Sequence, residues 1–217
     1  MGGIPSGVSA VGINLTGVDA SSATYVTAYP DNTTQPLASS LNLSDANPAA
    51  NFQLVTVNSD GYIDLSNFAG TINLLADVQG YTASNSTTLY TATAPCRAFD
   101  TRSAPTQACS LAQAVPTNPV GAGGSISVKV AGVNNIPAGV RAVAINLTAV
   151  DASGSTYLTA YPHNTTQPLA STVNLNNANP LAHSIIVAVG TDGYIAITNF
   201  ANTTNVLGDI EGYFSSS

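Results

Sequence analysis

The sequence predicts an all-β protein built from tandem antiparallel β-sandwich or barrel repeats. Three observations carry this expectation. Residues 4–81 align with residues 136–213 without a gap, at a constant offset of 132, and about five positions in eight are identical. A long gapless match means two copies of one fold. Within a copy, apolar residues alternate with small or polar ones, as in Val11-Gly12-Ile13-Asn14-Leu15-Thr16, the period of a half-buried strand. No segment carries a long 3.6-residue apolar period, and short strand-like runs separated by regular turn signals point to a sandwich or barrel.

In chain order the strand candidates of the first copy are residues 11–16, 24–29, 37–43, 52–57, 62–65 and 72–78. The breaks between them carry turn chemistry: Pro30-Asp31-Asn32, Asn47-Pro48 and Asp60-Gly61. Asp60-Gly61 and its copy Asp192-Gly193 read as hairpin turns. The stretch TAYPDNTTQPLAS at 27–39 returns as TAYPHNTTQPLAS at 159–171, changing only Asp31 to His163. ADVQGY at 76–81 returns as GDIEGY at 208–213.

The copies differ in what precedes them. Residues 83–135 stand before the second copy and hold a strand candidate at 125–130 and a Gly/Pro-rich stretch at 116–124. On one reading, 83–217 is a complete second repeat and 1–82 is the C-terminal part of a first. Copy one would then lack a strand that copy two owns, and an unpaired edge is a template for another chain. Strand donation between neighbouring molecules or units follows as an expectation. On the other reading, about 80 residues close on their own and 83–135 is a linker. The sequence leaves both open.

Composition narrows the partners. The 217 residues allow one large or two small domains. With 7% charged and 44% hydrophobic residues, this is not a disordered chain. A net charge of -7 with only four Lys and Arg excludes a phosphate-binding surface, so neither nucleic acid nor an anionic membrane surface is an expected partner. No apolar run approaches the roughly 18 residues that span a bilayer, so membrane insertion is not expected. No signal peptide is visible after Met1, and the chain reads as a fragment of something longer. A Ser/Thr/Asn surface nearly without lysine fits an extracellular protein.

Cys96 and Cys109 lie in a loop-like segment. A disulfide between them closes a loop of about 13 residues, worth roughly 3 kcal/mol in the chain-entropy model; two free thiols are the other reading. A C-x2-C half-site is absent, so zinc is not expected.

No catalytic set assembles from residues present in both copies, and no enzyme is expected. The two histidines, His163 and His183, align with Asp31 and Asn51, so neither belongs to a duplicated site. The duplicated acids Asp19/Asp151, Asp60/Asp192 and Asp77/Asp209 read as structural, with Asp77 and Asp209 accepting backbone hydrogen bonds at strand ends. No cofactor or metal is expected; calcium is the one cation these acids raise, without its loop signature. Asp100 and Arg102 suit an ion pair that pins the loop before the second repeat. Asn14/Asn146 and Asn42/Asn174 sit inside strands, and if they face inward they belong to buried polar ladders. Tyr25, Tyr29 and Tyr62 repeat as Tyr157, Tyr161 and Tyr194, and tyrosine beside Asn and Asp is the chemistry of a sugar platform, though core packing serves equally. Lys129, the sole lysine, is expected in solvent.

Pro95-Cys96-Arg97-Ala98-Phe99-Asp100-Thr101-Arg102 reads P-C-R-x-x-D-T-R. Gly132, Ile136-Pro137, Ala142-Val143-Ala144-Ile145-Asn146-Leu147-Thr148, Tyr161-Pro162 and Asp209-Ile210-Glu211-Gly212-Tyr213-Phe214 follow it. Together these resemble a β-rich repeat module of secreted and surface proteins of actinobacteria, acidobacteria and related bacteria, which occurs in tandem or appended to exported hydrolases. The resemblance covers one whole module and the later part of another. It implies a secreted or cell-surface module without catalysis of its own, and it brings no ligand-binding residues. In cysteine-bearing modules of this kind the second cysteine sits just before the Ile-Pro pair; Cys109 comes far earlier. Two functions are therefore carried forward: a structural or adhesive module that associates with itself or with neighbouring repeats, and a carbohydrate-binding module that takes glycans.

Overall fold

The computed structural model describes residues 4–44, 48–102, 115–133, 135–176 and 180–216. The chain divides into two compact units, Met1–Ser86 and Thr87–Ser217. All regular structure among the described residues is antiparallel strand, so no helix is long and apolar enough to cross a membrane.

Unit 1 contains β1 (Val8–Val18), β2 (Thr24–Pro30), β3 (Leu41–Leu43), β4 (Ala49–Thr56), β5 (Ile63–Asn67) and β6 (Asn73–Ala83). They form two three-stranded sheets, in the orders β4-β1-β6 and β3-β2-β5. Val11, Ile13 and Leu15 of β1 meet Val26 of β2, Leu41 and Leu43 of β3 and Val55 of β4 in one core. Period-2 alternation on both sheets makes this possible, because each strand turns every second side chain toward the facing sheet.

Unit 2 contains β7 (Thr88–Asp100), β8 (Ser125–Lys129), β9 (Ala142–Val150), β10 (Thr156–Pro162), β11 (Val173–Leu175), β12 (Leu181–Ala188), β13 (Tyr194–Asn199) and β14 (Asn205–Ser216). Its sheets have four strands each, in the orders β12-β9-β14-β7 and β11-β10-β13-β8. Strands β9 to β14 repeat β1 to β6 one for one. The two additions, β7 and β8, lie at corresponding ends of the two sheets and have no counterpart among the described residues of unit 1. Phe99 of β7 and Ile126 and Val128 of β8 enter the same core as Ile145, Leu147, Leu158, Ile195 and Ile197. The fold is a sandwich in each unit, not a barrel.

Three sequence expectations are corrected. Residues 37–40 are not strand: β3 begins at Leu41, and the segment before it crosses the outer face of β2, where Thr27 Oγ1 donates to the Ala38 carbonyl (2.6 Å). Asp60-Gly61 is not a hairpin turn. It joins β4 in one sheet to β5 in the other, with Gly61 at φ +88° and the Tyr62 N–H donating to Asp60 Oδ1 (3.1 Å). Cys96 does not lie in a loop: it sits on β7, opposite Ile210. Pro95 is tolerated in that strand because β7 is the edge of its sheet, where a missing N–H breaks no ladder bond. Cys96 is not a free thiol, and Cys109 lies outside the described residues.

The single exchange in the repeated stretch falls at this inter-sheet turn. In unit 2, His163 Nδ1 pairs with Asp192 Oδ2 (2.6 Å) and Asn164 Nδ2 donates to the same oxygen (2.8 Å). In unit 1, Asn32 Nδ2 donates to both Asp31 Oδ2 (3.0 Å) and Asp60 Oδ2 (2.8 Å). Both versions tie the end of β2 or β10 to the turn through the asparagine amide, joined in unit 2 by an imidazole–carboxylate hydrogen bond and in unit 1 by a second carboxylate.

Candidate functional site

The chemistry that distinguishes the units lies along the edges formed by β5 and β6. In unit 2 the corresponding strands are covered. β7 runs antiparallel to β14 with Leu207 opposite Asp100, Gly208 opposite Phe99, Asp209 opposite Arg97 and Gly212 opposite Ala92. β8 runs along β13 with Ile195 opposite Val128 and Ile197 opposite Ile126.

Side chains lock this cover in place. The Arg97 guanidinium grips Asp209 through two hydrogen bonds, from Nε to Oδ1 and from Nη2 to Oδ2 (3.1 Å). Bidentate geometry of this kind gives both energy and direction. Asp100, with its carboxylate 2% exposed, accepts from Arg102 Nη2 (2.7 Å), the Arg102 N–H (3.0 Å) and Arg97 Nη1 (3.2 Å). Burial works against ionisation of Asp100, but the Arg102 hydrogen bonds and the charges of Arg102 and Arg97 outweigh it and hold its carboxyl below the ordinary carboxylate range. Thr101, fully buried, donates to Asn205 Oδ1 (3.1 Å) and accepts from the Val206 N–H (2.9 Å). Asn199 Nδ2 donates to the Val120 carbonyl (2.8 Å), tying the approach to β8 into the same end.

In unit 1 the corresponding surface is open. Ile210, Leu207 and Ile197 are 3%, 4% and 0% exposed, whereas their counterparts Val78, Leu75 and Leu65 are 51%, 50% and 37% exposed. Val78 pairs with core residue Ile13 and Leu65 with Ala28, so Val78 and Leu65 stand on the core side of their strands without full cover. A Cβ built on Gly212 would stand 2.5 Å from the Tyr90 ring, whereas one built on its counterpart Gly80 meets nothing within 4 Å.

The tyrosines singled out in the sequence do not converge on one platform. Tyr25 stacks on Phe68 with centroids 4.6 Å apart, and Tyr157 stacks on Phe200 at 4.5 Å. Thr27, buried under residues 31–40, separates Tyr25 from Tyr29 along β2. Tyr62 is exposed at the entrance to β5. The Tyr161 hydroxyl bonds Thr198 Oγ1 (3.1 Å), and Tyr194 packs beside His163 and under the Lys129 ammonium (5.6 Å). Sequence reasoning missed Phe68 and Phe200, although NFA recurs at both places and marks them. Each phenylalanine stays more than half exposed.

Of the polar candidates, Asn14 is fully buried on β1 opposite Asp77, and Asn146 is half-buried opposite Asp209. Asn42 and Asn174 are not buried: they pair opposite Tyr25 and Tyr157 on β3 and β11, and each donates to a serine, Ser39 and Ser171 respectively (3.1 Å). Asp19 and Asp151 adopt φ +54° and +53° and accept from Asn73 and Asn205, a structural use of a left-handed turn. Among the described residues no group of three or more His, Cys, Asp or Glu is arranged to hold a metal ion.

The fold therefore defines a tandem two-unit β-sandwich protein. No protein-family model and no curated protein matches the chain. Among solved structures, the N-terminal CBM22-1-CBM22-2 tandem domain of Xyn10C from Paenibacillus barcinonensis is similar over 97% of this chain and 79% of that one, at 11% identity and a TM-score of 0.25. A likeness that low carries no argument.

Proposed function

We propose that this is a non-catalytic structural repeat module of the bacterial cell surface or exterior, in which unit 1 is an incomplete copy completed by strands from a neighbouring unit. The observation that carries the reading is the contrast between equivalent strands: among the described residues β13 and β14 have partners on both sides, and β5 and β6 have one each. Covering Val78 and Leu65 as fully as Ile210 and Ile197 is worth about 1 kcal/mol each from apolar area alone. Ladder hydrogen bonds along β6 add to it. Such an edge is a template for an added strand, one way in which repeats join into arrays.

Light scattering across a concentration series tests this. The mass of the unmodified chain is expected to rise above that of the protomer, and Val78→Lys, which puts a charge on the edge, is expected to weaken the association at least tenfold. A Val78→Lys chain that associates as well as the unmodified one contradicts the reading.

A second reading, glycan binding, is favoured by the Tyr25–Phe68 and Tyr157–Phe200 stacks, which present aromatic surface at the same place in both units. On a glycan panel it requires a signal that falls at least tenfold in a Phe68→Ala/Phe200→Ala variant. A panel without signal removes it.

A further inference from the structure

We infer that the open side of unit 1 accepts one extended segment that enters both sheets, chemically like residues 88–130 but with a small residue where this chain has Phe99. The inference rests on the strand-completion reading and specifies the donor.

The register in unit 2 translates onto unit 1 through the offset of 132. Three groups that hold β7 in unit 2 recur in unit 1. Asn205, which accepts from Thr101, has the counterpart Asn73. Asp209, gripped by Arg97, has the counterpart Asp77. Gly212, whose missing side chain leaves room for the Tyr90 ring, has the counterpart Gly80, with open space above it. A strand bearing Tyr, Arg and Thr at the spacing of Tyr90, Arg97 and Thr101 therefore meets a matching surface. The apolar positions of the second strand, Ile126 and Val128 in unit 2, would fall against Leu65 and Ile63.

One position does not match. Phe99 reaches the core over Gly208, and a Cβ built there would lie 2.1 Å from the Phe99 ring and 2.8 Å from Ile145. The counterpart of Gly208 is Ala76, which carries that Cβ, and the counterpart of Ile145 is Ile13. Unit 1 thus refuses a phenylalanine at this point. One methyl group keeps the chain's own segment in unit 2 and reserves unit 1 for a different donor. Specificity of this kind, set by a clash against the wrong partner, is a general device.

The test adds a separate polypeptide of residues 87–130 to the whole chain and reads affinity by titration and amide hydrogen exchange by mass spectrometry. The Phe99→Ala polypeptide is expected to bind at least tenfold more tightly than the Phe99 version and to protect residues 63–67 and 73–83. Arg97→Glu in the Phe99→Ala polypeptide is expected to lose at least tenfold. Ala76→Gly in the chain is expected to admit the Phe99 version at least tenfold better. Equal binding of the two polypeptides, protection confined to unit 2, or no binding of either overturns the inference. If neither binds while the chain still associates through an edge that Val78→Lys blocks, the donor chemistry falls and the strand-completion reading stands.

Discussion

Phe99→Ala is expected to destabilise unit 2 by about 4 kcal/mol, the largest effect of any single substitution proposed for this chain. Phe99 is 1% exposed and stands among the largest fully buried side chains. It sits on β7, the edge strand, so its ring ties that strand to the core over Gly208 and beside Ile145. Removing the ring loses its transfer free energy and leaves a void that an edge strand held by a backbone ladder only partly closes. Gly208→Ala attacks the same contact from the other side, and overpacking there is expected to cost about 2–3 kcal/mol. The two changes touch one space, so they are expected not to add: with the ring gone, the alanine methyl has room, and the double variant is expected to be less destabilised than the sum. Urea unfolding followed by hydrogen exchange on peptides of unit 2 reads all three variants. Additive losses would show that Phe99 and Gly208 do not share the space the structure gives them.

Asp100→Asn is expected to cost unit 2 about 2 kcal/mol at neutral pH, because charge-assisted hydrogen bonds from Arg102 and Arg97 are weakened. The pH dependence follows from the direction of the shift. Asp100 is held below its ordinary value of 3.8 in the folded protein. Its contribution is therefore present in full above the unfolded value, near pH 4, and is lost as pH falls through the lower folded value. The unmodified chain is expected to lose unit 2 stability steeply below about pH 4, and the Asp100→Asn chain, already weaker, to lose less over the same range. Acid titrations that run parallel in the two chains would remove Asp100 from the account of the pH dependence.

Much of this architecture can be read in the chain itself, and what cannot has a physical reason. The 132-residue offset and the alternation around Ile13 and Leu15 announce two copies of an all-β fold, because a half-buried strand writes its period into the sequence. β7 writes no such period. It is an edge strand with Pro95 inside it, charged Arg97 and Asp100 on it and a register shift beside Ile210, so the features that hold it are pairwise contacts with residues more than a hundred positions away. Asp60-Gly61 misleads because the same turn residues serve a hairpin and a crossing between sheets; only the partner strands decide. Residues 37–40 mislead because Leu37 and Ala38 lead into the apolar Leu41 and Leu43 and look like the start of the same strand, although the segment lies over β2, held by Thr27 Oγ1. At the site, Asp100 and Arg102 are neighbours in sequence and their pair was legible. The open edge itself was legible only as a missing segment; which residues it exposes, and that Ala76 replaces Gly208 there, required the register. The aromatic stacks escaped because Tyr25 and Phe68 lie far apart in sequence and meet through the pairing of β2 with β5.

The claim that unit 1 is an open sandwich seeking a strand is tested most directly by the mass of the unmodified chain in solution, measured by light scattering from low to high concentration with electron micrographs of the same samples. Growth above the 21.8 kDa protomer, reversed by Val78→Lys, is the expected result. A constant protomer mass at every concentration, with or without the lysine, would contradict association through the open edge of unit 1.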